Sequence, residues 1–190
     1  MRGHAGRYVF CALRCPLGLA GALPQPGDGV KMSLEIERKF LVADDSWRAL
    51  SVRSERLRDG LIATSDGRKV RVRLYKNRAT LAVKTKKEGP ARAEFEYEIP
   101  VKDAEELINV HCAENTLTKT RYYVPHQGFT WEVDVYEGIL SGVILAEIEL
   151  ERADVDVPLP DWIGLEVTGD PTYRKVNMQK ARLDLLDPSH

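Results

Sequence analysis

The chain has 190 residues, of which 43% are hydrophobic and 30% charged, and this composition indicates a folded globular protein rather than a disordered one. The length is sufficient for one domain with a sizeable core. The formal net charge is −1, and it falls to −4 without the first 31 residues. Because a nucleic-acid-binding domain is expected to be basic, we expect no nucleic-acid partner.

Residues 1–31 differ in composition from the rest of the chain. Their apolar stretch is interrupted by Arg14 and Pro16, whereas a secretory signal needs ~7–15 uninterrupted apolar residues. The stretch is also too short to span a bilayer, so no membrane partner is expected. We expect a disordered N-terminal extension or a start-site artefact here, with a targeting segment as the alternative, and a cytoplasmic protein by default.

No cysteine or histidine pattern indicates a disulfide framework or a metal site. Cys11 and Cys15 lie in the N-terminal extension, and Cys112 is alone beyond it. The histidines have no recognisable metal-ligand spacing; they are His4, His111, His126 and His190.

Segments rich in β-branched and aromatic residues predict eight strands. They lie at 34–42, 55–63, 69–76, 79–86, 93–99, 117–125, 129–137 and 143–151. Tight turns are predicted at Asp66-Gly67 and at His126-Gln127-Gly128. Helices are expected at 47–50, 101–112 and 172–184, the second from the spacing of its apolar residues.

Charged residues recur two positions apart in seven of these strands. Side chains alternate between the two faces of a strand, so Glu35, Glu37 and Lys39 share one face. The same spacing joins Arg71 to Arg73, Lys84 to Lys86, Glu94 to Glu96 and Glu98, Lys119 to Arg121, Glu132 to Asp134, and Glu147 to Glu149 and Glu151. An open antiparallel sheet with one face in water would give such a pattern too.

The sorting of charge favours a different arrangement. The strands at 69–76 and 79–86 are basic on this face, whereas those at 93–99 and 143–151 are acidic. If the charged faces converge, the enclosed space cannot be dry, because removing one ion from water costs several kcal/mol. We therefore expect a water-filled tunnel whose charges meet one another or a ligand, with the apolar faces packed outward under helices.

An ordered set of motifs carries a resemblance to a known family. The motifs are Glu35-x-Glu37-x-Lys39, Arg71-x-Arg73, Lys84, Glu96-x-Glu98, Lys119-Thr120-Arg121-Tyr122, Trp131-Glu132-Val133-Asp134-Val135-Tyr136-x-Gly138, Glu147-x-Glu149 and Glu166-Val167-Thr168-Gly169-Asp170. Together they resemble the CYTH, or triphosphate tunnel metalloenzyme, family. The resemblance implies an α+β fold with an eight-stranded antiparallel barrel, helices packed outside, and a domain over residues 32–186.

The resemblance implies a triphosphate held by basic side chains. Arginines suit phosphate as forked partners and lysines as point charges. The expected phosphate-binding residues are Lys39, Arg71, Arg73, Lys84, Lys119 and Arg121. The expected catalytic residues are Glu35, Glu37, Lys39, Arg73 and Arg121.

The resemblance also implies one or two divalent metals held by carboxylates, and Mg²⁺ or Mn²⁺ is the expected cofactor. The candidate metal ligands are Glu35, Glu37, Glu96, Glu98, Asp134, Glu147 and Glu149. For each of them an ion pair with a basic residue across the tunnel is the alternative. Glu94, Glu132 and Glu151 are expected to be solvated or at the rim.

The expected function is metal-dependent hydrolysis of inorganic triphosphate, with nucleoside triphosphates as secondary substrates. One alternative is an adenylate cyclase, in which Trp131 or Phe129 would stack on a base at the tunnel rim. The other alternative is a non-catalytic polyphosphate-binding module. The protein could form a homodimer, but the sequence does not determine its oligomeric state. Leu61 stands where relatives often have a proton-handling Tyr. Either Tyr136, another tunnel residue or a metal-bound water covers that role, or this member is slower or differently specific. Tyr173-Arg174-Lys175 is a second departure, because relatives often have Asn after a basic residue there.

Overall fold

The computed structural model describes residues 30–87, 91–112 and 115–186, with side chains from residue 34 onward. The described residues form nine strands: β1 Val30–Val42, β2 Arg53–Ser65, β3 Arg68–Leu74, β4 Ala79–Lys84, β5 Ala91–Ile99, β6 Thr116–His126, β7 Phe129–Tyr136, β8 Ile144–Glu149 and β9 Ile163–Glu166. The α-helices are α1 Trp47–Leu50, α2 Val101–Glu106 and α3 Lys175–Leu186. A π-helical segment, Leu107–His111, continues α2, and short 3₁₀ turns lie at Gly138–Leu140 and Pro171–Tyr173.

The strands form a closed antiparallel barrel. The hydrogen-bonded order is β5-β4-β3-β2-β6-β7-β8-β1, and β1 also pairs with β5, which closes the sheet. The first half of β1 pairs with β5 and the second half with β8, so that Glu35 lies opposite Arg92 and Glu37 opposite Glu149. The eight-stranded antiparallel barrel implied by the resemblance is therefore confirmed.

The predicted elements are all present, with shifted ends. The turns at Asp66-Gly67 and Gln127-Gly128 have positive φ at both residues, as a two-residue hairpin turn with the right twist requires. The C-terminal helix begins at Lys175 rather than 172, because Pro171–Tyr173 first forms a 3₁₀ turn. The short strand β9, which pairs with β1 outside the barrel order, was not predicted.

The apolar faces of the strands point outward and pack under the surrounding segments, as predicted. One cluster joins Phe40, Trp131 and Trp162 through edge-to-face ring contacts, with ring centroids 5.4 and 5.8 Å apart. A second cluster packs β3 and β4 under Ala104 and Ile108 of the α2 segment, by which we mean α2 together with the π-helical residues that continue it. A third cluster lies beneath α3. The inward faces are thereby left for polar side chains. No helix in the described part of the chain has the length and apolar character needed to cross a membrane.

Candidate active site

A charged cavity of about 610 Å³ runs through the barrel. Most of the site residues predicted from the sequence line it: Glu35, Glu37, Lys39, Arg71, Arg73, Lys84, Glu96, Arg121, Glu147 and Glu149. Lys119 and Asp134 are fully buried in the wall behind this surface. The structure therefore brings together side chains from β1, β3, β4, β5, β6 and β8 that are far apart in the sequence.

Strand β3 places two arginines on the basic side of the cavity. Arg73 donates two hydrogen bonds to Asp59 of β2, at 2.6 and 2.9 Å, and both side chains are buried. Arg71 is held more loosely, since its guanidinium lies 3.7 Å from Glu94 and its buried Nε has no hydrogen-bond partner among the described residues. Two arginines on one strand face thus differ in how firmly the protein engages them.

Lys84 of β4 joins the basic side to the acidic side. Its ammonium lies 2.8 Å from Glu35 and 2.9 Å from Glu94. Arg92 also binds Glu35, through Nε at 2.6 Å and Nη2 at 3.2 Å. Burial raises the pKa of Glu35, but Arg92 and Lys84 outweigh it and hold this pKa well below its usual range.

A second network centres on Asp134 of β7. Asp134 accepts hydrogen bonds from Arg121 at 2.7 and 2.9 Å and contacts the ammonium of Lys119. Burial raises the pKa of Asp134, but Lys119 and Arg121 overcome this and lower it to about 2. Burial and the neighbouring Arg121 lower the pKa of Lys119, although Asp134 opposes them. The two hydrogen bonds to Asp134 thus fix the position of the Arg121 guanidinium.

Glu147 connects this network to β1. It accepts from Arg121 at 3.3 Å and lies 2.9 Å from the ammonium of Lys39. Burial raises the pKa of Glu147, yet Lys39 and its other cationic neighbours hold it well below its usual range. Burial lowers the pKa of Lys39, and Glu147 and Glu37 overcome this, so that the net shift is upward. Both side chains are charged at neutral pH.

Carboxylates face one another on the acidic side of the cavity. Glu37 lies opposite Glu149, and Glu132 lies opposite Glu147, in the strand register. Like charges directly opposite each other destabilise a sheet unless a cation lies between them. Lys39 and Arg121 are the cations that form ion pairs with Glu147. The facing pair Glu37 and Glu149 supplies hard oxygen ligands of the kind that a divalent cation prefers, so the donor chemistry fits a metal.

A preformed metal cage is not present in the described residues. Their His, Cys, Asp and Glu side chains form no group of three or more gathered around one point. Several of the candidate carboxylates make the ion pairs that were the alternative expectation, notably Glu35, Glu147 and Asp134, so a metal bound by Glu35 or Glu147 would share the carboxylate with these cations. Glu98 is exposed and lies outside the cavity, because β5 reaches the barrel end there, so we remove it from the candidate ligands.

Several residues of the site were missed or misplaced by the sequence reasoning. Glu94 lines the cavity and pairs with Lys84, so its prediction as a solvated or rim residue was wrong. Glu132 is partly exposed, but it also lines the cavity and pairs with Arg121, which the prediction did not include. Arg92 could have been found, since it lies two residues before Glu94 in the same alternation. Lys69 could have been found in the same way, since it lies two residues before Arg71. Lys175 was noted only as part of a departure from the family pattern, and for Asp59 the sequence offered no comparable signal.

The structure also shows where the two residues considered for proton transfer, Leu61 and Tyr136, lie. Leu61 does line the cavity, as expected from the register of β2. Tyr136 is buried and lies outside the cavity surface, with Lys119 5.6 Å from its ring centre. Burial and the nearby Asp134 raise the pKa of Tyr136 well above its usual range, so it is a poor proton donor or acceptor near neutral pH. Tyr136 therefore does not replace a tyrosine at position 61.

Known proteins share both the sequence and the architecture. A family model for the CYTH domain matches residues 33–175. An inorganic triphosphatase from Acetivibrio thermocellus is 42% identical over 149 residues, which cover 78% of this chain and 95% of that protein. An inorganic triphosphatase from Nitrosomonas europaea is 35% identical over 149 residues, covering 74% and 93%.

Solved structures agree with these relatives. The crystal structure of the inorganic triphosphatase NE1496 is 32% identical and has a TM-score of 0.54, with 76% of this chain and 93% of that chain covered. A putative adenylate cyclase from Bacillus halodurans has a TM-score of 0.51 at 16% identity, covering 64% and 82%, and shows likeness of fold alone. With its family match, its two relatives and its closed charged barrel, this chain belongs to the CYTH domain family.

Proposed function

We propose that this protein hydrolyses inorganic triphosphate in a metal-dependent reaction. One observation supports the proposal most strongly: a closed barrel holds arginines and lysines on β3, β4 and β6 opposite carboxylates on β1 and β8. The likeness to two inorganic triphosphatases over nearly their whole length supports the same substrate. We take residues 32–186 as the domain that performs the reaction.

The basic side chains would bind the phosphates. Arg71, with its loose contact to Glu94, and Lys84 and Lys39, whose ammonium groups lie near the cavity, supply charge-assisted donors. Arg73 and Arg121 add forked donors held in place by Asp59 and Asp134. A charge-assisted hydrogen bond contributes ~1.5–3 kcal/mol, so several of them together can hold and orient a triphosphate chain. Lys119 acts through the wall, since it is fully buried against Asp134.

The acidic side would hold Mg²⁺ or Mn²⁺. Glu37 and Glu149 face each other, and Glu35 and Glu147 flank them on the same strands, so these four residues are the proposed ligands. Glu96 lies further along the cavity, and Asp134 is engaged by two cations. A bound divalent ion supplies charge neutralisation on the phosphates and lowers the pKa of a coordinated water toward ~7.

The cyclase alternative loses one of its supports. Stacking of a base on Trp131 was expected at the tunnel rim, but Trp131 is completely buried on the outer side of the barrel. Phe129 packs against the same outer cluster. Neither ring is in a position to contact a ligand in the cavity. Nucleoside triphosphates remain as proposed secondary substrates only.

The decisive experiment is phosphate release with triphosphate or ATP as substrate. We expect release from triphosphate that EDTA abolishes and that excess Mg²⁺ or Mn²⁺ restores, because the proposed reaction depends on a divalent cation to neutralise the phosphates. Glu37→Gln should lose most of this activity, whereas Glu151→Gln, at an exposed position, should retain it. Cyclic AMP formed from ATP would favour the cyclase, and hydrolysis at full rate in EDTA would contradict the metal-dependent mechanism.

A further inference from the structure

Lys175 enters the cavity from outside the barrel. It is the first residue of α3, and it lines the cavity together with residues of the barrel strands. Its side chain is 23% exposed, and its ammonium lies 3.6 Å from Asp59. From the sequence, Lys175 was noted only within Tyr173-Arg174-Lys175, a departure from the family pattern at the C-terminal helix, and it was not among the predicted phosphate-binding residues.

The backbone leading to Lys175 is anchored to β1. The Val167 N–H donates to the Lys39 carbonyl at 2.8 Å, and the Lys39 N–H donates to the Thr168 hydroxyl at 2.9 Å. Asp170 then accepts from the Thr172 N–H at 2.8 Å and fixes the 3₁₀ turn before the helix. The motif Glu166-Val167-Thr168-Gly169-Asp170 thus ties the start of α3 to the strand that carries the proposed metal ligands. Lys175 is presented by a fixed segment rather than by a free end.

Charges of both signs surround the Lys175 ammonium. Burial has the largest effect on the pKa values of Asp59 on β2, Glu147 on β8, Lys69 on β3 and Lys119 on β6, and the field of Lys175 adds a lowering contribution to each of them. Lys175 therefore lies among four strands of the barrel, with carboxylates on some sides and cations on others. Repulsion between the ammonium groups of Lys175 and Lys69 destabilises this arrangement unless an anion is bound near them.

The hydrogen-bonding capacity of Lys175 is unused in the described part of the chain. An ammonium group has three donors, and the contact with Asp59 at 3.6 Å is an ion pair without a hydrogen bond. Asp59 already accepts two hydrogen bonds from Arg73, at 2.6 and 2.9 Å. The three Lys175 donors are therefore available to a ligand in the cavity.

We propose that Lys175 binds a phosphate group of the substrate, so that α3 contributes a cation which the barrel strands do not supply. This inference rests on the proposed triphosphatase function. A phosphate oxygen satisfies the unused donors and relieves the repulsion from Lys69, while Asp59 keeps Arg73 as its partner. Lys175 is thus a substrate-binding residue, and it links occupation of the cavity to the docking of α3.

The test compares Lys175→Met with Lys175→Arg and with Lys180→Met, an exposed lysine on the same helix. We expect the KM for triphosphate to rise roughly tenfold in Lys175→Met, which corresponds to the loss of one charge-assisted contact of about 1.4 kcal/mol. Lys175→Arg should restore most of the affinity, and Lys180→Met should match the wild type. Lys175→Gln replaces the Met variant if the latter does not fold.

Calorimetric titration of triphosphate in EDTA supplies a second measurement that needs no turnover. Weaker binding by Lys175→Met, at an unchanged thermal midpoint of the free protein, supports the inference even if the wild type proves inactive. An unchanged KM and an unchanged dissociation constant, in an active wild type, would overturn the inference alone and make Lys175 a tether for α3. Failure of the wild type to bind triphosphate both in EDTA and with Mg²⁺ present would overturn both proposals.

Discussion

At the scale of single residues, position on a strand face does not decide the role of a charge. Arg71 and Arg73 share one face of β3, yet Arg73 is locked to buried Asp59 and Arg71 is held loosely. Breaking a buried ion pair by removing one partner costs ~3–5 kcal/mol, because it leaves the other charge uncompensated. Loss of Arg73, or of Arg121 beside Asp134, would therefore damage the fold as well as the chemistry. Arg71 is the cleaner probe of substrate binding.

We predict that Arg71→Ala reduces kcat/KM for triphosphate by about ten- to a hundredfold, as expected for loss of a charge-assisted contact of ~1.5–3 kcal/mol. The free energy of unfolding should change by less than about 1 kcal/mol, since the pair with Glu94 is loose. Steady-state kinetics and urea unfolding measure the two effects.

Arg68→Ala is the matched control for this variant, because Arg68 lies on the same strand with an exposed side chain. Its kcat/KM should stay within about twofold of the wild type. If Arg71→Ala remains as active as Arg68→Ala, Arg71 is not a phosphate ligand. If Arg71→Ala unfolds instead, Arg71 is a structural partner of the glutamates.

At the scale of elements, the contact between β2 and the α2 segment depends on the absence of one side chain. A Cβ added at Gly60 would lie 2.9 Å from both Cβ and Sγ of Cys112 and 3.1 Å from Ile108. These distances are well inside van der Waals contact, so the helical segment packs directly on the strand. Asp59 and Leu61, which flank Gly60, face the cavity on the other side of the sheet. Packing outside the barrel therefore fixes residues inside it.

Gly60→Ala should lower the free energy of unfolding by ~1–3 kcal/mol, because overpacking forces the strand and the helical segment apart. The same substitution in a Cys112→Ala background should cost less, since Sγ is then absent. Urea unfolding of the four proteins in this cycle measures the coupling. Equal costs in the two backgrounds would show that the Cys112 Sγ does not limit the approach of the two elements.

At the scale of the whole molecule, the interior of the barrel is lined by paired charges, and the described residues form no apolar core there. Asp59, Asp134 and Glu147 are buried inside it, and neighbouring cations lower the pKa of each. Each of these carboxyl groups therefore loses its proton more readily in the folded chain than in the unfolded chain. The apolar clusters that hold the fold lie outside the barrel wall, so the stability of the interior depends on the ionisation of its carboxylates.

This arrangement predicts acid lability. The pKa of Asp134 is about 2 in the folded protein, against ~3.9 in an unfolded chain. Because the folded value is the lower one, the stabilisation is fully present above about pH 4 and is lost as the pH falls toward 2. Asp134 alone should contribute about 2–3 kcal/mol to this loss, and Asp59 and Glu147 act in the same direction.

Urea unfolding followed from pH 6 to pH 2.5 measures this loss. The unfolding midpoint should fall steeply below pH 4, and Glu151→Gln should show the same profile as the wild type, since Glu151 is exposed. A midpoint that stays constant down to pH 3 would show that the pKa values of the buried carboxyl groups are not lowered in the folded protein.

The sequence by itself determined the strands and the sign of the charge on each of them. Alternation with a period of two is a local property, so Glu35, Glu37 and Lys39 could be assigned to one face without knowledge of the fold. The same reasoning predicted a wet interior with apolar faces outside, because so many ions cannot be enclosed dry. Closure into eight strands came from the family resemblance. β9 escaped prediction because four residues containing Gly164 give almost no alternation to detect.

Only the tertiary structure decided which charges meet. Asp59 is joined to Arg73 by the register of β2 on β3, and Glu35 to Arg92 by the closing pair of β1 and β5. Such partners depend on how strands align across the sheet, and a one-residue shift would reverse every facing side chain. Lys175 reaches the cavity because the β9–α3 connection is anchored on β1. Local pattern thus fixes which side chains can face inward, whereas long-range pairing fixes their neighbours, and the neighbours decide which cations remain available to a phosphate.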